Sequence, residues 1–147
     1  MTVIGYAPGV YDLFHVGHLN ALRQARAGCD LLVAGVVSDE VCLATKLVVP
    51  FVPLAERLEI VASLGIVDAV RAETTLDKLD VWRDIRFDRI FKGDDWRGTG
   101  KGIDLERRMK SVGAEVVYFP YTVHTSSSQL RRAILARSPS QPLGEAS

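Results

Sequence analysis

Seven consecutive apolar residues, Leu31-Leu-Val-Ala-Gly-Val-Val37, form the longest apolar run of the chain. That run is far too short to cross a bilayer. It reads as a strand buried on both faces, the kind found in parallel sheets with helices on either side. Its surroundings agree. Val3–Ala7 is strand-like and is followed by a helical pattern over Gly17–Ala27. After the long run, Asp39–Thr45 suits a short helix, and the Val- and Pro-rich stretch 46–53 suits a loop. Leu54–Leu64 has helical spacing and stops at Gly65, an expected C-cap. Val67–Arg71 reads as a short strand and Thr75–Asp84 as a weak helix. Arg89–Lys92 reads as a strand ending in Gly93, and 94–102 as a glycine-rich loop. Ile103–Val112 is helical, Glu115–Phe119 is a strand closed by Pro120, and Ser127–Arg137 is a last helix.

Strand–helix alternation of this kind predicts an α/β fold, a five-stranded parallel sheet with helices on both faces, in one domain over residues 1–137. The Ser-, Pro- and Gly-containing tail 138–147 is expected to be disordered. In such sheets ligands bind outside the carboxyl ends of the strands. The segments 8–18, 92–100 and 120–128 each follow a predicted strand, and each carries chemistry.

Eighteen basic and eighteen acidic residues cancel. Bulk electrostatic attraction to nucleic acid is therefore not expected, and any anion site must be local. Cys29 and Cys42 lack metal-motif spacing and read as small, reduced, buried side chains. The N-terminus has no charged segment followed by a long apolar one, so no signal peptide is expected and the cytoplasm is the expected compartment.

The first constellation is Pro8-Gly-Val-Tyr-Asp-Leu-Phe-His-Val-Gly-His18. A strand that turns through glycine into a helix start is a ready anion site, because the first helical N–H groups lack partners and the dipole favours negative charge. His15 and His18 can donate hydrogen bonds to phosphate there, and Gly17 leaves room for it to approach the backbone. Asp12 beside them suits a turn cap or a group that orients a histidine ring, with structural duty the expected role. Zinc is not expected, since no third or fourth ligand accompanies the pair. Lys46 opens the 46–53 loop as a flexible cation that could close over phosphates. Asp94-Asp95-Trp96 follows the fourth strand, where carboxylates and an indole can meet a ligand. His124-Thr-Ser-Ser-Ser128, with Arg131 and Arg132 just inside the last helix, could grip a triphosphate through hydroxyls and free amides.

Together these segments resemble the HxGH cytidylyltransferases of the nucleotidyltransferase superfamily, those acting on glycerol 3-phosphate and on choline or ethanolamine phosphate. Tyr6–His18 looks like the family's His-x-Gly-His signature with its lead-in. Lys46 with Glu56-Arg57 looks like its mobile lysine and helix-start arginine, Lys92–Trp96 like its Gly-Asp-Asp-Trp segment, and Thr122–Ser128 like its late hydroxyl motif. The resemblance implies a Rossmann-like sheet, a homodimer, Mg2+ carried by the nucleotide phosphates with Asp95 as a possible ligand, and transfer of a cytidylyl group from CTP to a small phosphorylated alcohol. It implies catalytic roles for His15, His18 and Lys46. It implies nucleotide contacts from Gly9, Val10, Tyr11, His15, Gly17, His18, Asp95, Trp96, Thr122, Thr125, Ser126, Ser127 and Ser128. Substrate-phosphate contacts would come from Lys46, Arg57, Lys78 and Arg131. Three positions depart from the pattern. Gly65 and Tyr121 stand where the family carries arginines, and His124 where it carries glycine. The missing charge must come from elsewhere, with Arg57, Arg71, His124, Arg131 and Arg132 as candidates. An adenylyltransferase on the same scaffold and a non-catalytic nucleotide sensor are the alternative readings.

Overall fold

Residues 1–120 and 126–137 are described by the structure, a computed structural model. The buried apolar run is strand β2 (Leu31–Val37). It pairs in parallel with β1 (Ile4–Gly9) on one side and with β3 (Ala69–Glu73) on the other. Beyond β1 lie β4 (Arg89–Gly93) and β5 (Glu115–Phe119), also parallel, so the order is β3-β2-β1-β4-β5. The chain thus winds outward from β1 through β2 to β3, then returns to the other side of β1. The switch point falls between β1 and β4, the place where such Rossmann-like sheets receive ligands.

The period-two pleat sends alternate side chains to opposite faces. On one face Ala7, Leu32, Ala34, Val36 and Phe91 pack with Leu22 and Ala25 of α1 (Val16–Ala27) and with Leu58 and Val61 of α3 (Leu54–Ala62). On the other face Tyr6, Val33, Ile90 and Val116 pack with Val81 of α4 (Lys78–Ile85) and with Leu105 and Met109 of α5 (Gly100–Lys110). The short α2 (Asp39–Lys46) and the last helix α6 (Ser127–Leu135) sit at the ends of the connections.

Most elements fall where periodicity put them, and the exceptions have local causes. β3 runs two residues past Arg71 and so carries Glu73 to the ligand end of the sheet. α5 starts at Gly100, inside the expected loop, because the Thr99 hydroxyl caps it by accepting the Gly102 N–H at 3.1 Å. Gly102 belongs to that helix by packing, since a Cβ there would stand 2.0 Å from the Trp96 carbonyl oxygen. α3 ends at Ala62, with Ser63 as its C-cap in right-handed geometry, so Gly65 does not cap it. The weak fourth helix begins only at Lys78, where the Asp77 carboxylate accepts the Leu79 N–H at 2.9 Å. Cys42 is buried, as expected. Cys29 is only half-buried and donates its thiol proton to the Ala25 carbonyl. No helix among the described residues is long and apolar enough to cross a membrane. The tail 138–147 and residues 121–125 lie outside the described residues.

Candidate functional site

Two non-glycine residues of the β1–α1 connection, Tyr11 and Leu13, have positive φ (55° and 51°). Each costs about 1 kcal/mol and persists only where the surroundings over-determine it. Asp12 between them supplies that constraint. Its carboxylate accepts the Phe51 and Val52 N–H groups at 2.8 and 2.9 Å and the Arg131 Nη2 at 2.8 Å, and the residue is buried. Asp12 therefore has a structural duty, as expected, but it ties distant segments to the loop rather than capping its own turn. Tyr11 is buried and donates its hydroxyl proton to the Ala7 carbonyl at 2.9 Å. Burial, then the negative charge of Glu73, pushes its pKa up, so it stays neutral.

Arg57 corrects an expectation. It is fully buried, and its guanidinium donates to the Val52, Val10 and Val37 carbonyls and to the Asp39 carboxylate. Every arm is engaged in tying the ends of β1 and β2 to α3, so it cannot receive a substrate phosphate. Arg131 is likewise engaged, with Asp12, with the Val49 carbonyl at 3.0 Å and with the Phe51 ring at 4.6 Å, which removes it from the set of substrate cations.

His15 is the N-cap of α1. Its Nδ1 accepts the Gly17 N–H at 3.0 Å, and the Nδ1 of His18 accepts the His15 N–H at 3.2 Å. A nitrogen that accepts cannot carry the proton, so both neutral rings hold it on Nε2. The helix backbone thereby sets two imidazoles as Nε2–H donors, with ring centroids 4.1 Å apart. The Gly17 amide is spent on His15, so it does not serve a phosphate as the sequence suggested.

Two cavities adjoin this loop at the carboxyl ends of the strands. One, of about 250 Å³, sits at the switch point between β1 and β4, walled by Gly9, Tyr11, His18, Phe91, Asp95 and Trp96 among others. The second, of about 260 Å³, lies over β1, β2 and β3 and includes Val10, Glu73, Leu76, Lys78 and Lys101. Pro8, Gly9, Lys46, Lys92 and Trp96 line both. The structure thus brings Gly9, Val10, Tyr11, His18, Lys46, Lys78, Asp95 and Trp96 together, as the sequence led us to expect, whereas His15 lines neither cavity and reaches the site only beside His18.

Sequence reasoning missed three members of this set. Glu73 is buried, accepts the Tyr6 hydroxyl at 2.5 Å and the Lys78 ammonium at 2.6 Å, and faces the second cavity. Tyr6 reaches it from β1 across β2 only because residue 35 is glycine, where a Cβ would stand 1.9 Å from the Tyr6 hydroxyl. Lys92 and Lys101 complete a set of four lysines around that cavity. They supply positive charge that the absent arginines at 65 and 121 do not. The signal available was a lysine just before the Gly-Asp-Asp-Trp segment and one just after it.

The serines are placed less simply. Ser126 caps α6 by accepting the Gln129 N–H at 3.1 Å, and Ser127 donates its hydroxyl proton to the Asp12 carbonyl at 2.5 Å. The Ser127 bond moors α6 beside the histidine loop. The two bonds also occupy both hydroxyls in structural roles, leaving Ser128 exposed at the helix start. Thr122, Thr125, Tyr121 and His124 lie outside the described residues.

A family model described as cytidylyltransferase-like matches residues 6–133. The chain belongs to the cytidylyltransferase-like family. Relatives include an ethanolamine-phosphate cytidylyltransferase of Arabidopsis thaliana, 40% identical over 74% of this chain and 27% of the relative. The bifunctional protein HldE of Acidiphilium cryptum is 38% identical over 78% of this chain and 23% of its own length. An FAD synthase of Thermococcus onnurineus is 35% identical over 78% of this chain and 77% of the relative. This cytidylyltransferase-like chain therefore spans only about a quarter of the first two relatives. In fold it is similar to the lipopolysaccharide core biosynthesis protein of Thermoplasma volcanium, with TM-score 0.71 at 21% identity over 85% of this chain and 100% of that one.

Among the described residues no group of three or more His, Cys, Asp or Glu side chains could hold a metal. A cation carried on phosphate oxygens needs no such group. Asp95, exposed in the wall of the switch-point cavity, is the carboxylate there that could reach such an ion.

Proposed function

We propose that the protein transfers a cytidylyl group from CTP to a small phosphorylated alcohol, with glycerol 3-phosphate the favoured acceptor, releasing pyrophosphate. The observation that carries this reading is the pair of Nε2–H imidazoles set by the α1 backbone, next to two adjoining cavities that share two lysines. An acceptor phosphate oxygen attacks the α-phosphorus, a P–O bond forms, and the bond to the β-phosphate bridge oxygen breaks. No protein nucleophile is required. The chain's contribution is positioning and charge stabilisation. His15 and His18 donate to phosphate oxygens as charge develops. Lys46 contacts both substrates. Trp96 and Asp95 meet the nucleotide, and Lys78, oriented by Glu73, meets the acceptor phosphate. Mg2+ entering with the triphosphate would neutralise part of its charge. The same family reading implies a homodimer, which light scattering tests.

A second reading, adenylyl transfer from ATP, is supported by the FAD synthase of Thermococcus onnurineus, which aligns along most of both chains. Pyrophosphate release measured with each of the four nucleoside triphosphates, across phosphorylated alcohols, separates the two. Turnover with CTP and glycerol 3-phosphate is expected. Turnover with ATP alone establishes the second reading, and tight nucleotide binding without turnover points to a sensor.

A further inference from the structure

An in-line transfer places the migrating phosphoryl group where the two substrates meet. Here that place is the boundary between the two cavities. Five residues line both cavities, Pro8, Gly9, Lys46, Lys92 and Trp96, and of these only the two lysines carry charge. Lys46 is exposed at the end of α2, whereas Lys92 is half-buried near the end of β4, the strand across the switch point.

The surroundings of Lys92 leave its charge without an ion-pair partner among the described residues. Its Nζ stands 3.8 Å from the centroid of the Trp96 ring, a cation–π contact. Lys101 of α5 is 5.9 Å from the same ring. Lys46 of α2, Lys78 of α4, Glu73 of β3 and Asp95 of the turn after β4 act on it electrostatically. Glu73 is committed to Tyr6 and Lys78. Among the described residues no carboxylate lies within ion-pair distance of Lys92. Burial first, then Lys78 and Lys46, pushes its pKa down to about 8. A desolvated cation resting on an indole face, in the wall between two anion-receiving cavities, gains most from the arrival of phosphate.

Resting on the nucleotidyl-transfer reading above, we propose that Lys92 is a second catalytic lysine, whose ammonium leaves the Trp96 face to contact the phosphoryl group in transit together with Lys46. It carries charge below about pH 8 and loses it above. The rate should therefore fall on the alkaline side for a reason that arginine at the same place would remove.

The test is pyrophosphate release against pH for the unmodified protein, Lys92→Met and Lys92→Arg, with CTP affinity measured alongside. Lys92→Met should lower kcat on the order of a hundredfold at pH 7 while the nucleotide Kd moves much less. Lys92→Arg should retain most of the rate and lose the fall above pH 8. A non-kinetic readout comes from Trp82→Phe, which leaves Trp96 as the sole tryptophan. Its emission should titrate near pH 8, and that titration should vanish with Lys92→Met. A Lys92→Met enzyme within about threefold of the parent kcat overturns the proposal, as does an alkaline fall that survives Lys92→Arg. If Lys92→Met does not fold, the arginine pH profile decides. An unmodified protein that turns over no triphosphate overturns the transfer reading itself, and this inference with it.

Discussion

The histidine loop and the lysine cavity meet at the same switch point but are built in opposite ways. The loop is a nearly continuous stretch, 8–18, whose polar groups are consumed by backbone. Gly17 N–H binds His15, His15 N–H binds His18, and Phe51 and Val52 N–H groups bind Asp12. The cavity gathers Lys46, Glu73, Lys78, Lys92 and Lys101 from five separate elements, on long side chains with few fixed partners. The loop is over-determined, so its residues are held at a cost to the fold when changed. The cavity carries unneutralised charge, so its residues are held at a cost to stability when kept.

The largest effect that would break this contrast comes from Arg57, the buried clamp behind the loop. Arg57→Met strands the Val10 and Val37 carbonyls and the Asp39 carboxylate, and should destabilise by about 3–5 kcal/mol in a urea melt. A loss under about 1 kcal/mol would show that the clamp is dispensable. His18→Ala comes next. It should lower kcat by about 10²–10³, equivalent to about 2.7–4 kcal/mol, with a melting change limited to about 1 kcal/mol for the lost capping contact. Unchanged kcat would move the imidazole out of the chemistry. Tyr6→Phe removes the shared proton from buried Glu73 and should cost about 1–3 kcal/mol in stability, and raise the acceptor KM more than it lowers kcat. The smallest effect has the opposite sign. Lys92→Met should stabilise the fold at neutral pH by about 1 kcal/mol, by removing a poorly solvated charge. Because the folded pKa of Lys92 is about 8, below the unfolded model value of 10.5, the unfolded chain binds more protons between those values. The parent's stability should thus gain from this group as pH rises from 8 toward 10.5, and the gain should be missing in Lys92→Met.

How much was legible follows the same division. The histidine pair could be read because a strand, a glycine and a helix start are local signals, and i,i+3 spacing across a helix entrance brings two rings together. Asp12 could be read as structural, but its partners could not, since the Phe51 and Val52 amides and Arg131 are far from it in sequence. Arg57 could not, since helical spacing is the same whether a guanidinium faces water or three carbonyls. The early start of α5 was hidden because Gly100 and Gly102 look like loop residues. Only the close approach of the Trp96 carbonyl explains Gly102. Hydroxyls 126–128 are expected as phosphate ligands, but Ser127 ties α6 to the loop and Ser126 caps the helix.

By itself the chain's pattern determined the α/β class, the parallel sheet and the pairing of two imidazoles at the entrance to the first crossover. Those depend on side-chain periodicity, backbone handedness and i,i+3 spacing within a few residues. Which cations share a cavity was decided only when β4 settled beside β1, placing Lys92 between the lysines of α2, α4 and α5. Coulomb interactions and desolvation depend on distance in space, and no local pattern of residues encodes that distance.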